Sequence, residues 1–148
     1  PNHRNGYIRV RDEGMRITTT LKEISDDGSH IESMKELETV VWDFETIRMI
    51  YCRIGLVEKA YQETKREIWK LPSGVECMID EWPGIPVFLE IEWVDESVVR
   101  ETVALLGFDF STGLFGAVDQ LYEKYLSIPR DILNNETREI TFENPPRI

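Results

Sequence analysis

Short segments with a side-chain period of two recur between Tyr7 and Trp93, and this alternation constrains the fold more than any other feature of the chain. In an extended strand successive side chains point to opposite faces. "GYIRVRD" therefore puts Ile8 and Val10 on one face and Tyr7, Arg9 and Arg11 on the other. "MRITTTLKEI" brings Thr18, Thr20 and Lys22 to one side and Thr19 and Leu21 to the other, and Gly14 between the two runs suits a hairpin turn. "KELETVVWDFE" opens as a third strand with Glu36, Glu38 and Val40 on one face. "AYQETKREIWKL" and "VECMIDEW" are two more, joined by the turn "PSG", and "PGIP" leads into "VFLEIEW". "REITFE" is a late strand, and "SDDGS" is a loop by composition.

From Asp43 the period changes to that of a helix. Phe44, Ile47, Ile50, Tyr51 and Ile54 share one stripe, Asp43 suits the N-cap and Gly55 the stop. A second helix begins at Asp95, with Val98, Val99, Thr102, Val103 and Leu106 as its stripe and Gly107 as its end; a third runs from about Phe115 to Leu126. Strands come first, then a helix, more strands and late helices, without βαβ alternation. The expected fold is one α+β domain over residues 1–148 with a mainly antiparallel sheet. A chain of 148 residues is enough for one core and short for two.

The formal net charge of −11 argues against a general binder of nucleic acid or of anionic membranes, whose affinity rests on a basic surface. It leaves room for a small anion in a local basic pocket. No apolar run approaches a membrane span, and no secretory signal pattern is read. Two cysteines, Cys52 and Cys77, make no disulfide framework, so a reducing compartment, by default the cytoplasm, is expected.

The polar sides of the strands are not random mixtures. Arg9 and Arg11 share a face, as do Glu36 with Glu38 and Glu90 with Glu92. Residues two apart on one strand stand about 6.6–6.8 Å apart, so like charges there repel. A solvated sheet face explains the pattern if water is their partner. A polar barrel lumen explains it if a ligand is. Arginine and lysine would then face phosphate, and paired acids would hold a hard cation through oxygen.

Other chemistry has little material. His3 and His30 are the two histidines, and the nine glycines are scattered in turns, which leaves neither a serine–histidine triad, a histidine-rich zinc site nor a phosphate loop. Cys52 lies in the first helical pattern and reads as packed. Trp42, Trp69, Trp82 and Trp93 read as packing residues, and the sequon at Asn135 carries no weight without a secretory signal.

The ordered run "RVR", "TLK", "ELE", Arg66, Asp80 and "FLEIE" resembles the CYTH domain family, the triphosphate tunnel metalloenzymes. The most telling stretch is "VECMIDEWPGIPVFLEIEW", a strand ending in Asp, a glycine-containing turn and a strand bearing Glu-x-Glu. The resemblance runs from about Ile8 to Gly107. It implies an eight-stranded antiparallel barrel or tunnel with flanking helices, which binds triphosphate with Mg²⁺ or Mn²⁺. By that resemblance Arg9, Arg11, Lys22, Arg66 and Lys70 would bind substrate, Glu90 and Glu92 would hold metal, and Glu38 and Asp80 would be catalytic, positioning metal or water. Glu36 is a further candidate on the same face as Glu38.

Two departures accompany the likeness. The family's first-strand Glu-x-Glu-x-Lys is not found in "PNHRNGYI", so either that strand precedes Pro1 in the native protein or this member lacks it. Thr64 stands where many members carry a lysine. The expected activity is a metal-dependent hydrolase of triphosphate compounds: inorganic, thiamine or nucleoside triphosphate. One alternative is a class IV-type adenylate cyclase, and another is a non-catalytic polyphosphate- or nucleotide-binding module. The expected partner is thus a triphosphate-containing small molecule, and homodimers are common in the family.

Overall fold

The computed structural model describes residues 5–24, 34–93 and 95–147. The "SDDGS" loop, His3 and His30 lie outside them. The chain divides into two compact units, Pro1–Glu58 and Lys59–Ile148.

Unit 1 is a three-stranded antiparallel sheet of β1 (Asn5–Asp12), β2 (Ile17–Ile24) and β3 (Met34–Val41), in that order, followed by α1 (Phe44–Arg53). The β1–β2 turn forms as the sequence expects. Gly14 takes φ 79°, and its N–H donates to the Asp12 carboxylate at 2.8 Å. Helix α1 lies against β1, and the Tyr51 hydroxyl shares a 2.8 Å hydrogen bond with Thr19, on the face that also carries Ile8 and Val10. The helix starts at Asp43, whose carboxylate accepts from the Thr46 N–H at 2.7 Å. That hydrogen bonding from Thr46 holds the Asp43 carboxyl below its usual range. Its stabilisation is therefore present above the unfolded pKa and is lost as pH falls through the lowered folded pKa. Asp43→Ala is expected to lower the melting temperature of α1 by a few degrees at neutral pH, read by circular dichroism, with the difference from wild type vanishing in acid.

Unit 2 carries the antiparallel sheet of β5 (Lys65–Lys70), β6 (Glu76–Glu81) and β7 (Phe88–Glu92), together with a short parallel pair, β4 (Tyr61–Gln62) and β8 (Glu139–Ile140). Its helices are α2 (Glu96–Leu105), α3 (Asp119–Leu126) and α4 (Arg130–Asn135), with a 3₁₀ turn at Phe110–Thr112. The core gathers Ile85, Tyr122, Ile128, Leu133 and Ile140, flanked by Trp82, Phe88 and Leu121. Tyr122 is fully buried, meets Trp82 edge to face and donates its hydroxyl to the Pro83 carbonyl at 2.7 Å.

The α+β class and the antiparallel pairing of most strands agree with the sequence, while the expected single sheet is divided and several details differ. The expected strand "AYQETKREIWKL" breaks at Glu63 and Thr64, because β4 pairs with β8 whereas β5 pairs with β6. Glu63 secures the break: its N–H donates to Ile140 and its carboxylate accepts from the Phe142 N–H at 3.2 Å. The third helix begins at Asp119 rather than Phe115, since Gly116 at φ 134° interrupts the segment. "REITFE" contributes only Glu139 and Ile140 as strand. Among the described residues the strands form three sheets, and their hydrogen bonding closes no barrel.

Candidate functional site

The strand registers decide which charged side chains stand together. In unit 1, cross-strand neighbours form three rows on one face: Tyr7–Lys22–Glu36, Arg9–Thr20–Glu38 and Arg11–Thr18–Val40. Arg9, Arg11, Lys22 and Glu38, all expected from the sequence, thus share one face, opposite the one that carries Thr19. Thr18 and Thr20 are buried in the central strand, and their short side chains leave the longer ones on either side as the reach of this face.

Thr20 donates to Glu38 at 2.7 Å, and Lys22 pairs with Glu36 at 2.6 Å. The Thr20 bond, helped by the charges of Arg16, Arg9 and Arg11, holds the Glu38 carboxyl below its usual range against some desolvation. Glu38 is accordingly ionised at neutral pH. Arg9 differs from the others: its Nε–H is buried and meets no acceptor among the described residues. A buried donor left unpaired costs about 1–3 kcal/mol, and a bound anion would recover it.

In unit 2 the rows are Arg66–Asp80–Phe88, Ile68–Met78–Glu90 and Lys70–Glu76–Glu92. The five expected residues Arg66, Lys70, Asp80, Glu90 and Glu92 lie on one face of this sheet. Glu76 lies among them as well; the period of two along "VECMIDEW" carries the face from Asp80 through Met78 to Glu76, four residues back. Arg66 is the hub. Its Nε–H and an Nη2–H donate to the two oxygens of Asp80 at 2.7 and 2.5 Å, Nη2 also reaches Glu90 at 2.6 Å, and Nη1 contacts the Met78 sulfur at 3.1 Å. Asp80 is only 1% exposed, so this planar fork is what permits its burial. Burial pushes the Glu90 carboxyl up against the opposing pull of Arg66, and the charges of Asp80 and Glu92 push in the same direction as burial. Lys70 and Glu76 make a looser, exposed pair at 3.3 Å.

Among the described residues no three histidine, cysteine or acidic side chains gather as a metal-holding group. The donors on this face nonetheless suit a hard divalent cation in kind. Glu90 and Glu92 present carboxylates on one side of β7, with Glu76 directly across from Glu92. In this structure the Arg66 guanidinium supplies the positive charge between Asp80 and Glu90. No helix among the described residues is long and apolar enough to cross a membrane.

No family model matches the chain. It is 32% identical over 85 residues to a Methanocaldococcus jannaschii protein named "Putative adenylate cyclase", an alignment covering 57% of this chain and 47% of that one. The chain thus spans about half the length of that relative. In structure it is similar to a conserved hypothetical protein from Pyrococcus furiosus, with a TM-score of 0.59, 25% identity and coverage of 75% of this chain and 71% of the other. The likeness to a protein named as a cyclase is compatible with the CYTH resemblance carried by the charged strands.

Proposed function

We propose that the protein binds a triphosphate compound through Arg9, Arg11 and Lys22 and, with Mg²⁺ or Mn²⁺, breaks one of its phosphoanhydride bonds. The observation that carries this reading is the unit 1 face, where three cations rise from two adjacent strands and the buried Arg9 Nε–H lacks an acceptor. A phosphate oxygen is the acceptor that a planar guanidinium fits best. The CYTH resemblance brings the tunnel fold and the single domain with it, and we propose these also; the order of motifs along the chain supports them.

By the CYTH resemblance Glu90 and Glu92 would hold the cation, which when bound would supply positive charge to phosphoryl oxygens. Arg9 and Arg11 fix the phosphate chain, and Lys22 adds a point charge. Glu38, ionised and bonded through one oxygen to Thr20, keeps its other oxygen to orient an attacking water. Asp80 acts through Arg66, because its own oxygens are taken up by the guanidinium. In hydrolysis the water oxygen bonds to the terminal phosphorus, the bridging P–O bond breaks and orthophosphate leaves.

A second reading draws on the relative's name. With ATP as substrate, the ribose 3′-hydroxyl would attack the α-phosphorus, expelling pyrophosphate and leaving cyclic AMP. Incubation with tripolyphosphate, thiamine triphosphate and ATP, with and without Mg²⁺ or Mn²⁺, separates the two. Orthophosphate marks hydrolysis; pyrophosphate with cyclic AMP marks cyclisation. Glu90→Gln and Glu92→Gln are each expected to abolish the metal-dependent product. Undiminished turnover in both variants would remove these residues from the site. Binding without any product would reduce the protein to a polyphosphate- or nucleotide-binding module.

A further inference from the structure

Arg66 has five N–H donors, and four are already engaged: two by Asp80, one by Glu90 and one by the Met78 sulfur. A phosphate is gripped best by two parallel N–H groups of one fork, and Arg66 cannot offer such a fork while both acids hold it. The two acids are not equivalent. The Asp80 side chain is 2% exposed and takes two bonds along one edge of the guanidinium. The Glu90 side chain is 43% exposed and takes one bond, at Nη2. Glu90 is therefore the partner that can leave without stranding a buried charge.

We propose that Glu90 is a positioning residue that holds Arg66 back from phosphate until the carboxylate is drawn away, a role that rests on the triphosphate reading above. Asp80 then remains as the fixed support of the guanidinium, and the Nη2–H that Glu90 held becomes available to a phosphate oxygen. Any cation that takes the Glu90 carboxylate releases this hold, which couples cation binding to phosphate binding. Glu92 provides the internal comparison. It carries the same charge on the same strand face, two residues on, and makes no hydrogen bond to Arg66.

The test is calorimetric titration with tripolyphosphate in the presence of EDTA. Glu90→Gln and Glu90→Ala are expected to bind about three- to fivefold more tightly than wild type, the range set by a half-exposed ion pair, and Glu92→Gln by less than about twofold. In an Arg66→Lys background, which keeps a positive charge beside Asp80 but has no planar fork, the advantage of Glu90→Gln over Glu92→Gln should shrink to within about twofold, which a merely structural role for Glu90 would not produce. Equal gains in the two glutamine variants would show that only net charge matters and would overturn the inference while leaving triphosphate binding intact. No gain in Glu90→Gln or Glu90→Ala, with wild type still binding, would overturn it as well. No binding by any of these proteins, with Mg²⁺ or without, would overturn the triphosphate reading and this inference with it.

Discussion

Replacing both Arg9 and Arg11 by alanine is expected to weaken tripolyphosphate binding by at least about a hundredfold, because hydrogen bonds to charged groups contribute about 1.5–3 kcal/mol each and every 1.4 kcal/mol is tenfold. The two side chains stand two apart on β1, on the face shared with Lys22 and Glu38. Arg9 is the more informative of the two. Its buried Nε–H meets no acceptor among the described residues, so removing it relieves an unpaired donor rather than breaking a bond. The Arg9→Ala protein should thus fold at least as stably as wild type while losing affinity. Calorimetric titration alongside urea unfolding checks both halves. A double variant that binds as well as wild type would make this face an ordinary solvated sheet.

Tyr122→Ala is expected to be the most damaging single change to unit 2. The side chain is fully buried, packs edge to face on Trp82 and donates to the Pro83 carbonyl. Large aromatic-to-alanine changes in cores cost about 3–5 kcal/mol, a large part of the roughly 5–15 kcal/mol that holds a typical domain together. Tyr122→Phe keeps the ring and strands the Pro83 carbonyl, at about 1–3 kcal/mol. Urea unfolding followed by tryptophan fluorescence should rank wild type above Phe and Phe above Ala. A change below about 1 kcal/mol for the alanine variant would mean that the core lies elsewhere.

The alternating segments made the strand faces legible. A period of two dictates that Arg9 joins Arg11 and that Glu90 joins Glu92, whatever the partner strand. The partnership of Arg66 with Asp80 was equally within reach. The "PSG" turn, closed by the Leu71 N–H on the Val75 carbonyl, sets Lys70 across from Glu76 and, four residues on, Arg66 across from Asp80. What stayed hidden had no periodic signature. The β4–β8 pair is two residues long and parallel, so neither alternation nor a hairpin turn announces it. Helix α4 spans six residues, less than two turns, too short to show an apolar stripe. Its attachment to α3 rests on Asp119, which accepts from Arg130 and Asn134 at 2.9 Å each, a tertiary contact that spacing alone does not encode.

Whether the charged face of unit 1 grips a triphosphate is answered by a titration followed by two-dimensional NMR of the ¹⁵N-labelled protein. Tripolyphosphate added with Mg²⁺ is expected to shift the backbone amides around Arg9, Arg11, Thr20 and Lys22 and the side-chain Nε–H of Arg9, saturating at a defined stoichiometry. Shifts confined to other parts of the chain, or none at millimolar ligand, would contradict binding there.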